Sequence, residues 1–331
     1  MREPSFWWRP AAIASTLLTP LSLCYGAIAR WRLAQAGRSV GIPVICVGNL
    51  TMGGAGKTPT AMAVARLLMT AGQRPFFLSR GYGGRHAGPL RVDATAHRAS
   101  DVGDEPLLLA RLAATIVAHD RVAGAEAARL AGATIIVMDD GFQNPSLAKN
   151  RALLVVDGRR GIGNGQVFPA GPLRAPLAAQ LEHAHALLVI GPPAGAEEVI
   201  AAAQARALPV FQGRLTPDQE ALKSLASRPV LAFAGIGDPE KFFATLADAG
   251  IDVRVRQAFP DHHRYRPAEA MALVARAERE GLIPVTTEKD LARLAGESDV
   301  AALARLARAL PVTLVVEQAE AFRAFVLAQL S

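Results

Sequence analysis

Residues 47–59 read Val-Gly-Asn-Leu-Thr-Met-Gly-Gly-Ala-Gly-Lys-Thr-Pro and continue an apolar run that starts at residue 42. The run predicts a buried strand, and Pro59 suits the first turn of a helix, where its missing N–H costs no hydrogen bond. Glycines between the two elements allow successive backbone N–H groups to face one concavity, to which Lys57 adds positive charge. A strand, a glycine-rich turn and a helix in this order predict a phosphate-binding loop.

The loop matches most of the Walker pattern G-x-x-x-x-G-K-[ST]. Gly56, Lys57 and Thr58 supply its second half, whereas Thr51 replaces its first glycine. An ordinary glycine-rich turn is the alternative interpretation. We predict that the nucleotide phosphates contact the whole loop, namely Thr51, Met52, Gly53, Gly54, Ala55, Gly56, Lys57 and Thr58.

Composition limits the class of protein. A chain of 331 residues exceeds the usual size of one hydrophobic core, so two domains are expected. With 51% hydrophobic residues and a mean hydropathy of +0.22 the chain is not a disordered protein, and two cysteines are too few for a disulfide framework. The net charge of +7 suits nucleic acid, anionic lipid or phosphorylated substrates. Only 5% aromatic residues and scattered arginines argue against nucleic acid.

The N-terminal region carries an uncharged stretch, residues 10–29, between Arg9 and Arg30. Tryptophans and arginines flank it on both sides, as is typical of segments at a membrane interface. The length would permit a spanning helix, but Pro20 and the interspersed Ser and Thr residues argue against one. We predict that residues 1–32 form a membrane-associated segment that lies on the membrane. A buried helical hairpin is the alternative.

Strand and helix patterns alternate after the loop. Apolar runs such as residues 133–138 are typical of strands covered on both faces, so the order predicts a parallel sheet between two layers of helices. A helix is expected over residues 107–114, before the strand at 115–118. We predict a first domain over residues 33–215, a smaller α/β domain over 216–310, and a return strand and C-terminal helix over 311–331. Residues 209–215 and 311–317 would pair as a two-stranded linker between the domains.

Carboxylates follow the strand at residues 133–138. Asp139 and Asp140 come at its carboxyl end, where parallel sheets bind ligands and where P-loop proteins that hydrolyse nucleotides hold Mg²⁺. We predict a metal site formed by Thr58, Asp139 and Asp140, with capping of the next turn as the alternative. The pair Asp104-Glu105 precedes a predicted helix, and helix capping alone would explain it.

Two adjacent histidines occur in the sequence Phe259-Pro-Asp-His-His-Arg-Tyr265. No cysteine and no H-x-x-x-H spacing accompany them, so zinc is not indicated. A role in proton transfer is the better interpretation of His262 or its acidic neighbour.

Taken together, these motifs resemble the tetraacyldisaccharide 4'-kinases of lipid A biosynthesis over nearly the whole chain. The resemblance depends on the order and spacing of eight motifs: the loop through Pro59, Ser79-Arg-Gly-Tyr-Gly-Gly84, Val102-Gly-Asp-Glu-Pro106, Asp139-Asp-Gly-Phe-Gln143, Pro169-Ala-Gly-Pro-Leu-Arg174, Phe233-Ala-Gly-Ile-Gly237, Phe259-Pro-Asp-His-His263 and Thr286-Thr-Glu-Lys-Asp290. Asn144 and Ala175 depart from the residues that many members carry, His and Glu respectively.

The resemblance implies a P-loop NTPase-like α/β fold and transfer of the γ-phosphate of ATP, with Mg²⁺, to the 4'-hydroxyl of an acylated disaccharide 1-phosphate. It implies that Asp104 accepts the hydroxyl proton, that His262 orients or tunes Asp104, and that Lys57 holds the β- and γ-phosphates. It also implies a peripheral or N-terminally anchored protein on the cytoplasmic face of the inner membrane, without an obligate protein partner. Candidates for substrate contacts are Arg80, Glu105, Arg121, Gln143 and Arg174; solvated surface arginines are the alternative for the arginines among them.

Three other classes of protein fit parts of the sequence. A GTPase would need Asn-Lys-x-Asp, but Lys289 and Asp290 are adjacent. A P-loop ATPase of the deviant-Walker type would hydrolyse ATP in response to a protein partner. A nucleotide-binding scaffold would bind ATP without turnover.

Overall fold

The computed structural model describes residues 3–9 and 13–328. Parts of the predicted N-terminal and C-terminal segments, residues 1–2, 10–12 and 329–331, lie outside the described residues.

Two sheets contain the strands of the described chain. The first eight strands belong to the larger sheet: β1 (Val44–Asn49), β2 (Pro75–Ser79), β3 (Leu90–Arg91), β4 (Thr115–Val117), β5 (Ile135–Asp139), β6 (Arg151–Asp157), β7 (Ala186–Ile190) and β8 (Val210–Pro217). The smaller sheet follows: β9 (Val230–Ala234), β10 (Val253–Ala258), β11 (Ile283–Thr287) and β12 (Arg308–Leu310), and β13 (Val312–Val316) then returns to the larger sheet.

Within residues 3–9 and 13–328 the larger sheet has nine strands in the order β13-β8-β7-β6-β1-β5-β2-β4-β3, and the smaller has the order β10-β9-β11-β12. Every pairing is parallel except those of β3 and β13, which lie at the two edges of the larger sheet. The strand that leads into the phosphate loop, β1, lies between β5 and β6. The carboxyl ends of β1 and β5 therefore meet, and they bring the loop and the Asp139-Asp140 pair together.

The strands of the larger sheet are buried on both sides, because helices cover both faces of the sheet. In chain order the helices are α1 (Ile13–Leu33), α2 (Lys57–Thr70), α3 (Ala99–Val102), α4 (Asp104–Ala110), α5 (Arg121–Leu130), α6 (Leu177–Glu182), α7 (Glu197–Gln204), α8 (Gln219–Leu225), α9 (Pro239–Asp248), α10 (Pro267–Glu280), α11 (Glu288–Leu294), α12 (Ala301–Leu306) and α13 (Ala319–Leu327). Short 3₁₀ turns occupy Ser5–Trp8, Pro193–Gly195 and Ser298–Val300. The predicted α/β fold, a parallel sheet between helices with a smaller α/β unit, is confirmed.

The boundaries of several elements, among them β1 and α4, differ from the sequence prediction. β1 begins at Val44 and continues to Asn49, two residues later than expected. α4 begins at Asp104, three residues before the predicted start, because Gly103 with φ 91° ends α3 and allows a new helix to begin. Acidic residues in a first turn are favoured by the helix dipole, but they carry no apolar signal. The sequence pattern therefore marked only the apolar part of α4.

The linker between the sheets forms as predicted. β8 and β13 pair antiparallel, with Leu215 opposite Leu314. β8 also pairs in parallel with β7, so the two linker strands extend the larger sheet at its edge. Residues 218–311, which lie between these two strands in the chain, carry the smaller sheet and are called the smaller unit; the rest of the described chain is the larger unit.

α1 is one continuous helix with Pro20 inside it, so the alternative of a buried hairpin is wrong. Its buried residues are small: Ser15 Oγ donates to the carbonyl of Ala170 at 2.7 Å, Ser22 Oγ donates to that of Val167 at 2.6 Å, and Gly26 packs beside Pro176. Its large apolar side chains face outward, with Ile13 81% and Leu17 74% exposed. None of the helices in the described residues, α1 included, is both long and apolar enough to cross a membrane.

Candidate functional site

The glycine-rich loop is held open by the residue that ends β1. The buried Asn49 side-chain amide donates to the carbonyls of Thr51 and Gly53, at 2.7 and 3.0 Å. Gly53 and Gly56 have φ values of 94° and 90°, which favour glycine. Gly56 caps α2 without a side chain, so the first N–H groups of the helix remain open to a ligand. The loop therefore has the geometry of an anion cradle.

Not every residue of the loop contributes an open N–H group. The Met52 N–H already donates to the Pro172 carbonyl at 2.7 Å, and Thr51 is bridged to Leu173. The open end of the cradle is therefore the stretch from Gly53 to Thr58.

Lys57, Thr58, Asp139 and Asp140 come together at the first turn of α2. Lys57 Nζ lies 3.6 Å from Asp140 Oδ2, and Thr58 Oγ1 donates to Asp139 Oδ2 at 3.3 Å. Burial lowers the pKa of Lys57, although the Asp140 charge opposes this effect. Burial alone would raise the pKa of Asp140, but the Lys57 and Arg174 charges outweigh it and hold that pKa well below its usual range.

Asp139 fits a divalent cation. Burial, with the neighbouring charges of Glu105 and Asp140, raises the pKa of Asp139 to about 7. Its Oδ1 atom is buried, and no described residue forms a hydrogen bond with it. Three or more His, Cys, Asp or Glu side chains do not converge into a cage anywhere in the described residues. Mg²⁺ is usually bound by one or two carboxylates together with substrate phosphates, so Thr58, Asp139 and Asp140 are a suitable set.

Arg174 and Gln143 connect this cluster to the loop. Both terminal nitrogens of Arg174 contact the Asp140 carboxylate, at 2.8 and 3.2 Å, and Arg174 Nε donates to the Thr51 carbonyl at 3.0 Å. Gln143 donates to the Asn49 carbonyl at 3.0 Å. Bidentate contacts of this kind fix both partners. Hydrogen bonds and an ion pair thus join three segments that are distant in sequence, namely the loop after β1, residues 140–143 and the segment around Arg174.

Asp104, Glu105 and His262 form a second cluster at the start of α4. Asp104 is 4% exposed, and His262 Nδ1 lies 3.4 Å from its Oδ2 atom. Burial would raise the pKa of Asp104, but the hydrogen bond with His262 and the Arg293 charge hold it well below its usual range. Burial lowers the pKa of His262, yet the hydrogen bond and charge of Asp104 prevail and raise it. The pair favours a carboxylate beside an imidazolium.

The unit with the smaller sheet reaches over the phosphate loop. A side chain at Gly237 would come within 3.2 Å of the Gly54 nitrogen. Within the smaller unit, the backbone N–H of His262 donates to the Gly235 carbonyl at 3.0 Å. His262 has φ 55°, and its ring packs edge-on against Tyr82, with 4.9 Å between ring centroids. Both units therefore line one site.

Arg80 and Arg121 lie beyond this cluster, after β2 and β4 respectively. Arg121 is 3% exposed, so the alternative of a solvated surface arginine is wrong for it. It donates to the Ala118 carbonyl, and its Nε atom forms no hydrogen bond with a described residue. Arg80 is exposed. Neither arginine forms an ion pair within the part of the chain that the structure describes.

The two departures from the resembling family have local roles. Asn144 Oδ1 accepts hydrogen bonds from the N–H and the hydroxyl of Ser146, which closes a turn. Ala175 is fully buried, and its carbonyl accepts a hydrogen bond from Gln180.

Three ion pairs at the site have no counterpart in the sequence prediction. Arg293 and Lys289, on α11, bind Asp104 and Glu105. Lys289 belongs to the charged motif Thr286-Thr-Glu-Lys-Asp290, to which the residues alone gave no role, and Arg293 lies three residues beyond that motif. The Glu3 carboxylate fills the space that a side chain at Gly53 would need, and it pairs with Arg160 at 2.9 Å. No local pattern marks Glu3.

Comparisons with known proteins identify the family of the chain. A family model described as tetraacyldisaccharide-1-P 4'-kinase matches residues 14–331. A tetraacyldisaccharide 4'-kinase from Rhodopseudomonas palustris (strain BisB18) is 54% identical over 100% of this chain and 96% of the relative. Its namesake from Methylobacterium sp. (strain 4-46) is 58% identical over 92% of each chain. The crystal structure of LpxK from Aquifex aeolicus in complex with ATP matches with a TM-score of 0.73 and 27% identity, over 96% of this chain and 99% of that one.

Proposed function

The chain belongs to the tetraacyldisaccharide 4'-kinase family, and from this premise we propose which of its residues bind ATP, hold the metal ion and accept the proton. As an ATP-dependent kinase of this family, it transfers the γ-phosphate of ATP to the 4'-hydroxyl of tetraacyldisaccharide 1-phosphate, which forms lipid IVA. No contact in the described structure favours a deviant-Walker ATPase driven by a partner.

One observation carries the assignment of the ATP site. The open end of the glycine loop, the Lys57 ammonium and the Asp139-Asp140 pair converge at the carboxyl ends of two adjacent strands. In our proposal the N–H groups from Gly53 to Thr58 bind the β- and γ-phosphates, and Lys57 adds a fixed positive charge. Because Lys57 is buried, its charge is poorly screened and acts strongly on the transferring phosphate.

Thr58, Asp139 and Asp140 would hold Mg²⁺, which when bound neutralises charge on the β- and γ-phosphates. The buried Oδ1 atom of Asp139, which no described residue satisfies, supports this assignment. Lys57 contacts Asp140 in the structure, and we propose that it exchanges this contact for the phosphates when nucleotide binds.

Asp104 is our candidate for the group that accepts the proton of the 4'-hydroxyl. As the hydroxyl oxygen bonds to the γ-phosphorus, the bond from phosphorus to the β,γ-bridging oxygen breaks, ADP leaves, and the proton passes to the Asp104 carboxylate. His262 orients this carboxylate and stabilises its charge, which the distance of 3.4 Å supports.

We propose that residues 33–215 form the kinase domain and residues 216–310 a lid domain that closes over the nucleotide, with residues 311–331 as the return strand and C-terminal helix. The close approach of Gly237 to Gly54 supports the lid. Arg80, Arg121 and Arg174 are candidates for anionic groups of nucleotide or lipid, and Gln143 and Glu105 for positioning around them. The buried and incompletely bonded guanidinium of Arg121 supports its inclusion.

We propose that α1 lies on the cytoplasmic face of the inner membrane. Its small residues face the protein, whereas the large apolar ones, including Leu17, Leu21 and Trp31, face outward. Arg30 and Arg32 in the last turn can contact lipid phosphates. α1 also packs on residues 167–176, the segment that carries Arg174, so a bound membrane would be close to the substrate site.

A direct assay tests the roles at the ATP site. We expect the pure protein with Mg-ATP and the disaccharide 1-phosphate to add one phosphate, detected by mass spectrometry. Lys57→Met keeps most of the buried aliphatic volume but removes the charge, so it should lower kcat by about 10²- to 10³-fold without loss of the fold. Near-normal turnover by folded Lys57→Met would refute the cradle, and ATP hydrolysis at full rate without lipid would favour the ATPase.

A further inference from the structure

Arg293 connects the two units at the carboxylate that we assign as the proton acceptor. It belongs to α11, and Asp104 begins α4, 189 residues earlier in the chain. Arg293 Nε donates to Asp104 Oδ2 at 2.7 Å, and Arg293 NH2 lies 2.6 Å from the same oxygen. Both side chains are buried, which makes the pair strong and costly to break.

The guanidinium of Arg293 is itself fixed by its own unit. Its NH1 group donates to the carboxylate of Asp290 and to the carbonyl of Gly235, each at 2.7 Å. Asp290 is fully buried and accepts further hydrogen bonds from Tyr265 and Thr287 side chains and from the Gly235 N–H. A planar group held on this side has one orientation available for Asp104.

This contact gives the two carboxylate oxygens of Asp104 different hydrogen-bond partners. Oδ2 is occupied by Arg293 and lies nearest to His262. Oδ1 accepts one hydrogen bond from the described residues, that of the Glu105 N–H at 3.0 Å. A carboxylate oxygen can accept more than one hydrogen bond, so Oδ1 retains a position for a substrate hydroxyl.

We propose that Arg293 is a positioning residue of the kinase reaction, which holds Asp104 by Oδ2 so that Oδ1 receives the proton of the 4'-hydroxyl. Because Arg293 comes from the smaller unit, the proton acceptor is complete only while α11 lies against α4. The inference depends on the proposed role of Asp104 and adds to it a residue and a requirement for contact between the units.

The test compares Arg293→Met with Arg293→Lys, and measures the melting temperature, kcat and both KM values. In folded protein, Arg293→Met should lower kcat about 10²-fold, since a displacement near 1 Å has this effect, and leave KM for ATP within about threefold. Arg293→Lys retains a charge but not the fork, so it should recover about tenfold of that loss. If Arg293→Met does not fold, Arg293→Lys alone should still show a several-fold lower kcat at unchanged KM for ATP.

Glu297→Ala is the matched control for contact between the units. Glu297 accepts a hydrogen bond from Ser100 at 2.8 Å and pairs with Arg98, so it also links the two units but does not touch Asp104. We expect its kcat to stay within about twofold of that of the unmodified protein. An equal loss of kcat in Glu297→Ala and Arg293→Met would overturn the inference, because general loosening would then explain both.

A double variant separates this inference from the role of Asp104. In the Asp104→Asn background, Arg293→Met should lower kcat little further, because both changes disable the same proton acceptor. A full additional loss there, or a normal kcat in both Arg293 variants, would overturn the role of Arg293 and leave that of Asp104 intact. A normal kcat in Asp104→Asn alone would instead refute the proposed proton acceptor.

Discussion

Burial sets the charge states of single residues around the phosphate loop. Lys57, Asp139 and Asp140 are all close to α2, yet their pKa values move in different directions because their partners differ. Asp140 has two cationic partners, whereas Asp139 faces mainly burial and like charge. The carboxylate that gains most from a cation is therefore Asp139.

The first prediction at this scale distinguishes a catalytic role of Asp104 from a purely structural role at the start of α4. Asp104→Asn should keep ATP binding and lower kcat by about 10²- to 10⁴-fold, or roughly 3 to 5.5 kcal/mol of barrier. His262→Ala should also lower kcat, and the double variant should be little worse than the poorer single one. If Asp104 only stabilises the first turn of α4, the substitution would lower the melting temperature and leave kcat of the folded fraction nearly unchanged.

A second prediction concerns the pH dependence of stability at His262. Asp104 raises the pKa of His262 above its ordinary value of 6.5, although burial acts in the opposite direction. The folded state then binds the proton more tightly than the unfolded state, so the stabilisation is complete below pH 6.5 and is lost as the pH rises through the folded pKa. His262→Gln should therefore lower the melting temperature more at pH 6 than at pH 9.

The control for this pH dependence is the Asp104→Asn background. Without the carboxylate, His262→Gln should have nearly the same effect on the melting temperature at both pH values. If the difference between the two pH values persists there, another group, such as Asp261 or Glu105, must cause the raised pKa of His262.

At the scale of elements, α1 reverses the usual arrangement of a surface helix. Soluble helices bury their large apolar residues, but α1 buries serines and a glycine and exposes leucines, two isoleucines and a tryptophan. Close packing on a loop through serine hydroxyls fixes which face points outward. Leu17, Leu21 and Ile28 follow one another at spacings of four and seven residues, so they share one exposed face of the helix.

The proposed membrane contact of α1 predicts a separation between two KM values. Replacing Leu17, Leu21 and Ile28 by Gln should weaken binding to anionic vesicles at least tenfold, since each apolar side chain withdrawn from the interface loses about 1 kcal/mol or more. KM for the lipid should rise, KM for ATP should not, and the melting temperature should hold, because all three residues are exposed.

Ser22→Leu is the matched control on the opposite face of α1. Ser22 donates to the Val167 carbonyl and has no room for a larger side chain, so this variant should lose stability before it loses affinity for vesicles. Unchanged vesicle binding in the triple Gln variant would exclude the membrane as the partner of the exposed face.

Local patterns account for what the sequence could predict. The phosphate loop, the Asp139-Asp140 pair and the strands that pair as linker all follow from short segments with clear apolar or glycine signals. The contact of Arg293 with Asp104 spans 189 residues, and no pattern near Arg293 indicates its partner. The orientation of α1 likewise depends on carbonyls about 145 to 155 residues away. Composition predicted an interfacial segment but could not indicate which side of α1 faces the protein.

At the scale of the whole molecule, the two units meet at a second place, far from Arg293 in sequence. Lys241 on α9 contacts the largely buried carboxylate of Asp157 at the end of β6, at 2.7 Å. Asp238 forms ion pairs with Arg159 and Arg160 beside it. The smaller unit is therefore held on two sides of the site.

Removing one of these contacts between the units should lower the free energy of unfolding of the whole molecule. Lys241→Ala leaves Asp157 without its cationic partner, so we expect a loss of about 1–3 kcal/mol in urea unfolding and faster proteolysis between the units. Lys223→Ala is the matched control, since Lys223 and Glu220 form an exposed pair within α8. It should change stability by less than about 0.5 kcal/mol. Equal losses in both variants would argue against a structural role for the Lys241 contact.

The return of the chain to the larger sheet affects the order in which the protein can fold as it is synthesised. α2, which begins with Lys57, packs its apolar back against Phe322 and Val326 of α13. β13 and α13 leave the ribosome only after the entire smaller sheet has been made. The nascent larger sheet therefore waits with one edge unpaired and with α2 partly uncovered, and chaperones that bind apolar segments would find their target there.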